Sequence, residues 1–198
     1  MLANIDVHTY RRADHPIDVL FLERWSPRAM SGEPVTPAEL LRLFEAARWA
    51  PSSYNEQPWR LLYARRDTPA WPLFFELLVD ANKAWTHRAG VLLLIVSKRT
   101  FAHGGQANPV HIYDAGAAWM SLALQAVHEG LVVHGMAGFD RDRAREVLRI
   151  PEDFGIGAMA AIGRPGRVAD LPTAMQSREV PSGRRPLAET AFEGMFPG

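Results

Sequence analysis

Two short stretches concentrate the residues able to do chemistry. Arg24-Trp25-Ser26-Pro27-Arg28 sets two guanidinium groups and a hydroxyl within five residues. That set suits a phosphate, because a planar Arg fork meets anionic oxygens with paired, charge-assisted hydrogen bonds. Pro51-Ser52-Ser53-Tyr54-Asn55-Glu56-Gln57-Pro58-Trp59-Arg60 is dense in small polar side chains. Such a loop can hold the edge of a flat heteroaromatic ligand by hydrogen bonds. Together they point to a phosphorylated, aromatic cofactor. Taken singly, each group has a plainer reading: Arg24 and Arg28 as exposed charges, Ser52, Ser53 and Asn55 as turn formers, Gly135 and Gly138 as turn glycines. Trp49 and Trp59 are assigned to packing.

Other chemistries find no support. The chain has no cysteine, which excludes disulfides, thiolate catalysis and Cys-ligated metals. His103 with His111, and His128 with His134, are too loosely placed to read as metal ligands, so no metal is expected. There is no Gly-rich dinucleotide fingerprint, Walker loop or nucleophile elbow. Lys+Arg and Asp+Glu balance at 22 each, so no net field draws nucleic acid or acidic lipid. The first twelve residues carry Asp6, His8, Arg11 and Arg12 without an apolar stretch, and no export signal is expected. The run Val91 to Val96 is too short to span a bilayer. The expectation is a cytoplasmic protein of one domain over 1–198, with an N-terminal extension (1–15) and an extended C-terminal arm (164–198).

The elements that must position these residues can be read in order. Pro16 opens an expected helix over Ile17 to Arg24, which Pro27 stops. Thr36, Pro37 and Glu39 form the clearest helix start in the chain, a capping box with Pro at the first helical position. Leu40, Leu41, Leu43, Phe44 and Ala47 follow at helical spacing, and Pro51 ends the helix. Trp59 to Ala64 reads as a strand, Trp71 to Asn82 as a helix, and Val91 to Ser97 as a buried strand. Thr100 to Pro109 reads as a loop. Asp114 to Glu129 is a helix with almost no polar face, which its own fold or a partner must enclose; Gly130 suits its C-terminal cap. A short strand covers Leu131 to His134, a helix capped by Asp140 runs to about Leu148, and Gly157 to Gly163 is the last core strand.

In order and spacing these residues resemble the nitroreductase family of FMN-dependent oxidoreductases. The likeness spans about Ile17 to Leu187. It is carried by the two stretches above, by Ala46-Ala47-Arg48-Trp49-Ala50 before the second, and by Asn82. Gly135-Met136-Ala137-Gly138-Phe139-Asp140, Ile162-Gly163-Arg164-Pro165 and Arg184-Arg185-Pro186-Leu187 complete it. The resemblance implies an α+β fold with a mixed, mainly antiparallel sheet flanked by helices. It further implies an intertwined homodimer with FMN at the interface and NAD(P)H as electron donor.

Residue by residue, it implies that Arg24, Ser26 and Arg184 hold the FMN phosphate, with Trp25 beside them. Arg28 sits at the pyrimidine end as an electrostatic tuner, and flavin N5 carries the chemistry with no catalytic side chain. Pro51, Ser52, Ser53 and Asn55 approach from the opposite subunit. Asn82 bonds the pyrimidine edge, and Met136, Ala137 and Gly138 lay backbone against one flavin face. The implied activity passes hydride from NAD(P)H to a nitroaromatic, quinone or enone acceptor by ping-pong kinetics. Flavin destruction, dehalogenation or non-catalytic flavin storage are the alternatives on this fold. Family members often carry His or Arg where Trp25 stands, a basic residue at Trp85, Glu at Ala137, and Lys or Arg at Ser182. Phosphate anchoring is therefore expected to rest on fewer cations.

Overall fold

In the computed structural model, which describes residues 5–197, four strands form one sheet. Residues 1–4 of the expected N-terminal extension lie outside the described residues. The strands are β1 (Trp59–Arg65), β2 (Val91–Lys98), β3 (Val132–Met136) and β4 (Phe154–Gly163), in the order β1-β2-β4-β3. All three ladders are antiparallel, and no parallel pair of strands occurs among the described residues. β2 sits inside the sheet, buried along its length. Successive side chains of a strand point to opposite faces, so an unbroken apolar run builds two cores at once. Leu92, Leu94 and Val96 enter one; Val91, Leu93 and Ile95 enter the other.

The second core is closed by α2 (Pro37–Arg48) and α5 (His111–His128). The capping box is present as read: Thr36 Oγ1 accepts from Glu39 N, and Glu39 Oε2 accepts from Thr36 N at 2.8 Å. Glu39 also takes a bond from Arg164 at 2.8 Å, which ties the start of α2 to the end of β4. Leu40, Leu43 and Ala47 face inward; truncating a fully buried leucine such as Leu43 to Ala costs about 2–5 kcal/mol. On α5 the small residues Ala115, Ala118 and Ala126 are buried, whereas Ile112 and Tyr113 face outward. Its own fold thus covers one face of the helix and leaves the other open. Gly130 follows with φ +67°, the left-handed turn that an L side chain resists.

Two elements and one side chain differ most from expectation. The first helix, α1, is only Leu20–Glu23. The helix read over Trp71 to Asn82 is two pieces, α3 (Trp71–Phe75) and α4 (Asp80–Thr86). Between them Leu78 bridges to Phe139 and Val79 N donates to the Gly138 carbonyl, so a long-range pairing interrupts the local one. Trp49, assigned to packing, is 74% exposed at the end of α2, with its Nε1 on Glu45 and Arg48 over its ring. Trp59 is buried as expected. α6 (Arg141–Val147) begins at its Asp140 cap, and α7 (Thr173–Gln176) lies in the C-terminal stretch. No helix among the described residues is long and apolar enough to cross a membrane.

Candidate cofactor site

The stretch from Arg24 to Arg28 lies outside the helices and strands, and side chains from distant elements hold it. Arg11 donates to the carbonyls of Leu22 (2.8 Å) and Arg24 (2.9 Å), and to that of Ser182 (2.9 Å). Pro27 has no N–H to offer, and its carbonyl accepts from His134 Nδ1 at 3.2 Å. The buried carboxylate of Glu179 accepts from the N–H groups of Arg28 (2.5 Å) and Ala29 (2.8 Å). Just beyond, Ser31 N and Gly166 N pair with the carbonyls of Arg164 and Ala29. Seven contacts from four parts of the chain therefore fix the run from Leu22 to Ser31.

That segment walls a cavity of about 370 Å³ lined by Arg24, Trp25, Ser26, Arg28 and Arg184, with Arg11, Arg178 and His134 among the rest. No Asp or Glu lines it. The arginines are forced together: Arg11 is pushed down to about 10 by burial and by the charges of Arg184 and Arg24. Arg24 is lowered too, by burial and then by Arg184. His134 is pushed down to about 4, by burial first and then by Arg28, against the pull of the Pro27 and Ser26 carbonyls. Cations gathered against their own repulsion, offset only by the buried Glu179 behind Arg28, make a receptor for an anion.

A second cluster stands nearby on α4 and the loop after β3. Asn82 Nδ2 donates to the Gly138 carbonyl at 2.9 Å. A Cβ added to Gly138 would lie 2.9 Å from both Asn82 Nδ2 and Val79 Cγ2, so only glycine permits this approach. One turn further along α4, Trp85 packs on His134 with ring centroids 4.7 Å apart. The Asn82–Gly138 cluster and the arginine cavity are thereby joined through α4 and β3. Met136 is buried in the core and Ala137 is exposed.

The loop over Pro51 to Asn55 is not among the residues lining the arginine cavity. Tyr54, Asn55 and Gln57 all have positive φ, near +50°, a conformation that costs a non-glycine residue about 1–2 kcal/mol. Strain of this kind persists where surrounding bonds over-determine it. Here Ser53 N donates to the buried Asp114 at 3.2 Å, and Gln57 N to Ser52 Oγ at 2.9 Å. Tyr54 at the tip is 92% exposed.

The profile of the Nitroreductase family matches residues 22–164 of this sequence. The chain belongs to the nitroreductase family. It is 30% identical over 183 residues to a protein from Thermus thermophilus named NADH dehydrogenase, covering 73% of this chain and 84% of that one. A solved structure described as an oxidoreductase containing FMN superposes with a TM-score of 0.91 at 48% identity, over 95% of this chain and 96% of that chain. A Desulfovibrio desulfuricans protein crystallised in complex with FMN gives a TM-score of 0.71 at 27% identity, over 93% and 100%.

Within this nitroreductase-family chain, the expected residues thus fall into three groups. Arg24, Trp25, Ser26, Arg28 and Arg184 meet at one cavity; Asn82 and Gly138 are bonded to each other; Pro51, Ser52, Ser53 and Asn55 stand apart. Sequence reading gave no site role to Arg11, Arg178 or Glu179, and weighed His134 only as a metal ligand. Arg11 and Glu179 flank the stretch they hold from 13 and 151 residues away, and no local spacing marks them. The expected shortage of cations is made up in part by Arg11 and Arg178. An audible signal for Arg11 did exist: Arg11-Arg12 is a basic pair just before the first helix.

Proposed function

We propose that this chain is an FMN-dependent oxidoreductase that takes electrons from NAD(P)H and delivers them to a nitroaromatic, quinone or enone acceptor in alternating half-reactions. The observation that supports this most is the acid-free arginine cavity. A phosphate dianion fits it by charge and by donor type, since every guanidinium offers N–H groups and accepts nothing. When bound, FMN supplies the hydride chemistry at its N5.

The chain's own part is binding and orientation. Arg24, Ser26 and Arg184 hold the phosphate, and Arg11 and Arg178 complete the cationic wall. Arg28 keeps a positive charge at the pyrimidine end, where a fixed cation favours added negative charge. Asn82 commits its Nδ2 to Gly138 and keeps Oδ1 to accept from a ring N–H. The Met136–Gly138 backbone lies against one face. Pro51, Ser52, Ser53 and Asn55 serve the site of a second copy, in a homodimer. The outward Ile112 and Tyr113 of α5, with Met195 and Phe196 near the C-terminus, are large exposed apolar groups that a second copy would cover.

The test is a spectrum of the purified protein followed by anaerobic titration with NADH and with NADPH. The expected result is a yellow protein with flavin bands that bleach with one or both donors. A colourless protein that takes up no added FMN, or a bound flavin that stays oxidised under excess of both, would refute the reading.

A further inference from the structure

The arginine cavity holds one group that does not belong in a pure anion receptor. His134 lines it, yet a phosphate needs only donors. The orientation of the ring settles what it offers. A carbonyl oxygen can only accept, so the 3.2 Å contact with Pro27 makes Nδ1 the protonated nitrogen. Trp85 holds the ring plane from the other side. In the neutral ring, Nε2 is then the nitrogen that carries the lone pair.

Several acceptors near the cavity are engaged. Ser26 Oγ takes a bond from Arg24 at 3.3 Å, and Ser182 Oγ takes one from Arg184 at 3.4 Å. The carbonyls of Leu22, Arg24 and Ser182 are occupied by Arg11. The cavity therefore presents five arginines and, in His134, an imidazole acceptor. The charged groups lining it are cations, and burial first and then Arg28 disfavour the charged form of the ring.

Resting on the FMN reading, we infer that His134 is a specificity-determining residue whose Nε2 accepts a hydrogen bond from a hydroxyl on the ligand chain next to the phosphate. Arginines alone would hold any phosphate monoester; His134 adds discrimination for a hydroxylated one. An unmade bond to a site acceptor is what lets a protein reject the analogue lacking the hydroxyl.

The experiment titrates apo-protein with FMN and with flavin 5′-phosphates lacking single ribityl hydroxyls, read by quenching of flavin fluorescence. His134→Asn keeps a donor near Nδ1 and deletes the acceptor; His134→Gln keeps an acceptor near Nε2. Wild type is expected to bind one deoxy analogue about 3- to 10-fold more weakly than FMN. His134→Asn should bind FMN and that analogue alike, and His134→Gln should restore the difference. Thermal melts of both variants check that they fold. Equal binding of FMN and every deoxy analogue by wild type, or undiminished discrimination by His134→Asn, would overturn the inference while leaving FMN binding intact. Wild type that binds no FMN would overturn the cofactor reading, and this assignment with it.

Discussion

Glu179 closes on Arg28 from 151 residues away: its Oε1 accepts the Arg28 N–H, and its Oε2 lies 3.7 Å from the Arg28 guanidinium. The carboxylate is fully buried, and among the described residues no donor bonds its Oε2. The C-terminal stretch is thus fastened to the same residue that faces the proposed pyrimidine end. Removing the acid leaves two backbone N–H groups near Arg28 and Ala29 unpaired, one of them deeply buried. Glu179→Ala is expected to lower stability by about 2–4 kcal/mol, with Glu179→Gln losing less because an acceptor remains. Urea denaturation of the three proteins checks this, and equal midpoints for Ala and wild type would exclude a structural role for the contact.

Arg24 and Arg28 stand on one cavity wall but face different tasks. Arg24 is the more enclosed by other arginines, and its loss removes charge-assisted bonds to a phosphate. Arg24→Ala should weaken FMN binding about 10- to 100-fold with little change in the rate of flavin reduction once loaded. Arg28→Ala should mainly slow reduction by NAD(P)H, because the positive charge near the pyrimidine is lost. Equilibrium binding and anaerobic stopped-flow, run on both variants, separate the two. Identical losses in both measurements would reject that division.

The contrast between local and distant contacts explains what could be read beforehand. Thr36, Pro37 and Glu39 act on one another within four residues, so the capping box was visible in the sequence. β2 was visible because both its faces are buried and its composition shows it. The break between α3 and α4 was not, since Leu77 and Leu78 keep helical spacing while pairing with the Phe139 region, and only the assembled fold supplies that competitor. The shortness of α1 lies mostly at its start, where Asp18 Oδ1 takes the Leu20 N–H at 2.9 Å. Among site residues, Arg24 to Arg28 formed a motif, whereas His134 earns its surroundings from Pro27, Trp85 and the arginines, none adjacent in sequence.

Asp114 offers a test of the strained loop. It is 3% exposed, and its side chain takes the Ser53 N–H while standing on the first turn of α5. Asp114→Ala should release the positions with positive φ at Tyr54, Asn55 and Gln57. The expected signs are faster amide exchange at Ser53 and about 1–3 kcal/mol lower stability. If Pro51 to Asn55 serve a second copy's cofactor, FMN affinity falls as well. Tyr54→Gly, which relieves a left-handed residue, should leave Ser53 exchange protected. Exchange unchanged in Asp114→Ala would show that the loop holds its shape without this anchor.

The acid limb of stability should carry the mark of His134. Its folded pKa lies at about 4 because burial and then Arg28 disfavour the cation, whereas an unfolded histidine titrates near 6.5. Above about pH 6.5 both states are neutral at this residue and its contribution is full. Between about 6.5 and 4 the unfolded chain binds a proton that the folded chain refuses, so stability falls as pH falls. Below about 4 both states are charged and the loss levels off at roughly 3 kcal/mol. His134→Asn, which keeps a donor toward Pro27 but cannot titrate, should show a flatter decline across that window. Urea midpoints of the apo-proteins at several pH values check it. Parallel curves for wild type and His134→Asn would mean that the folded ring titrates like an unfolded one, and that neither burial nor the arginines hold it neutral.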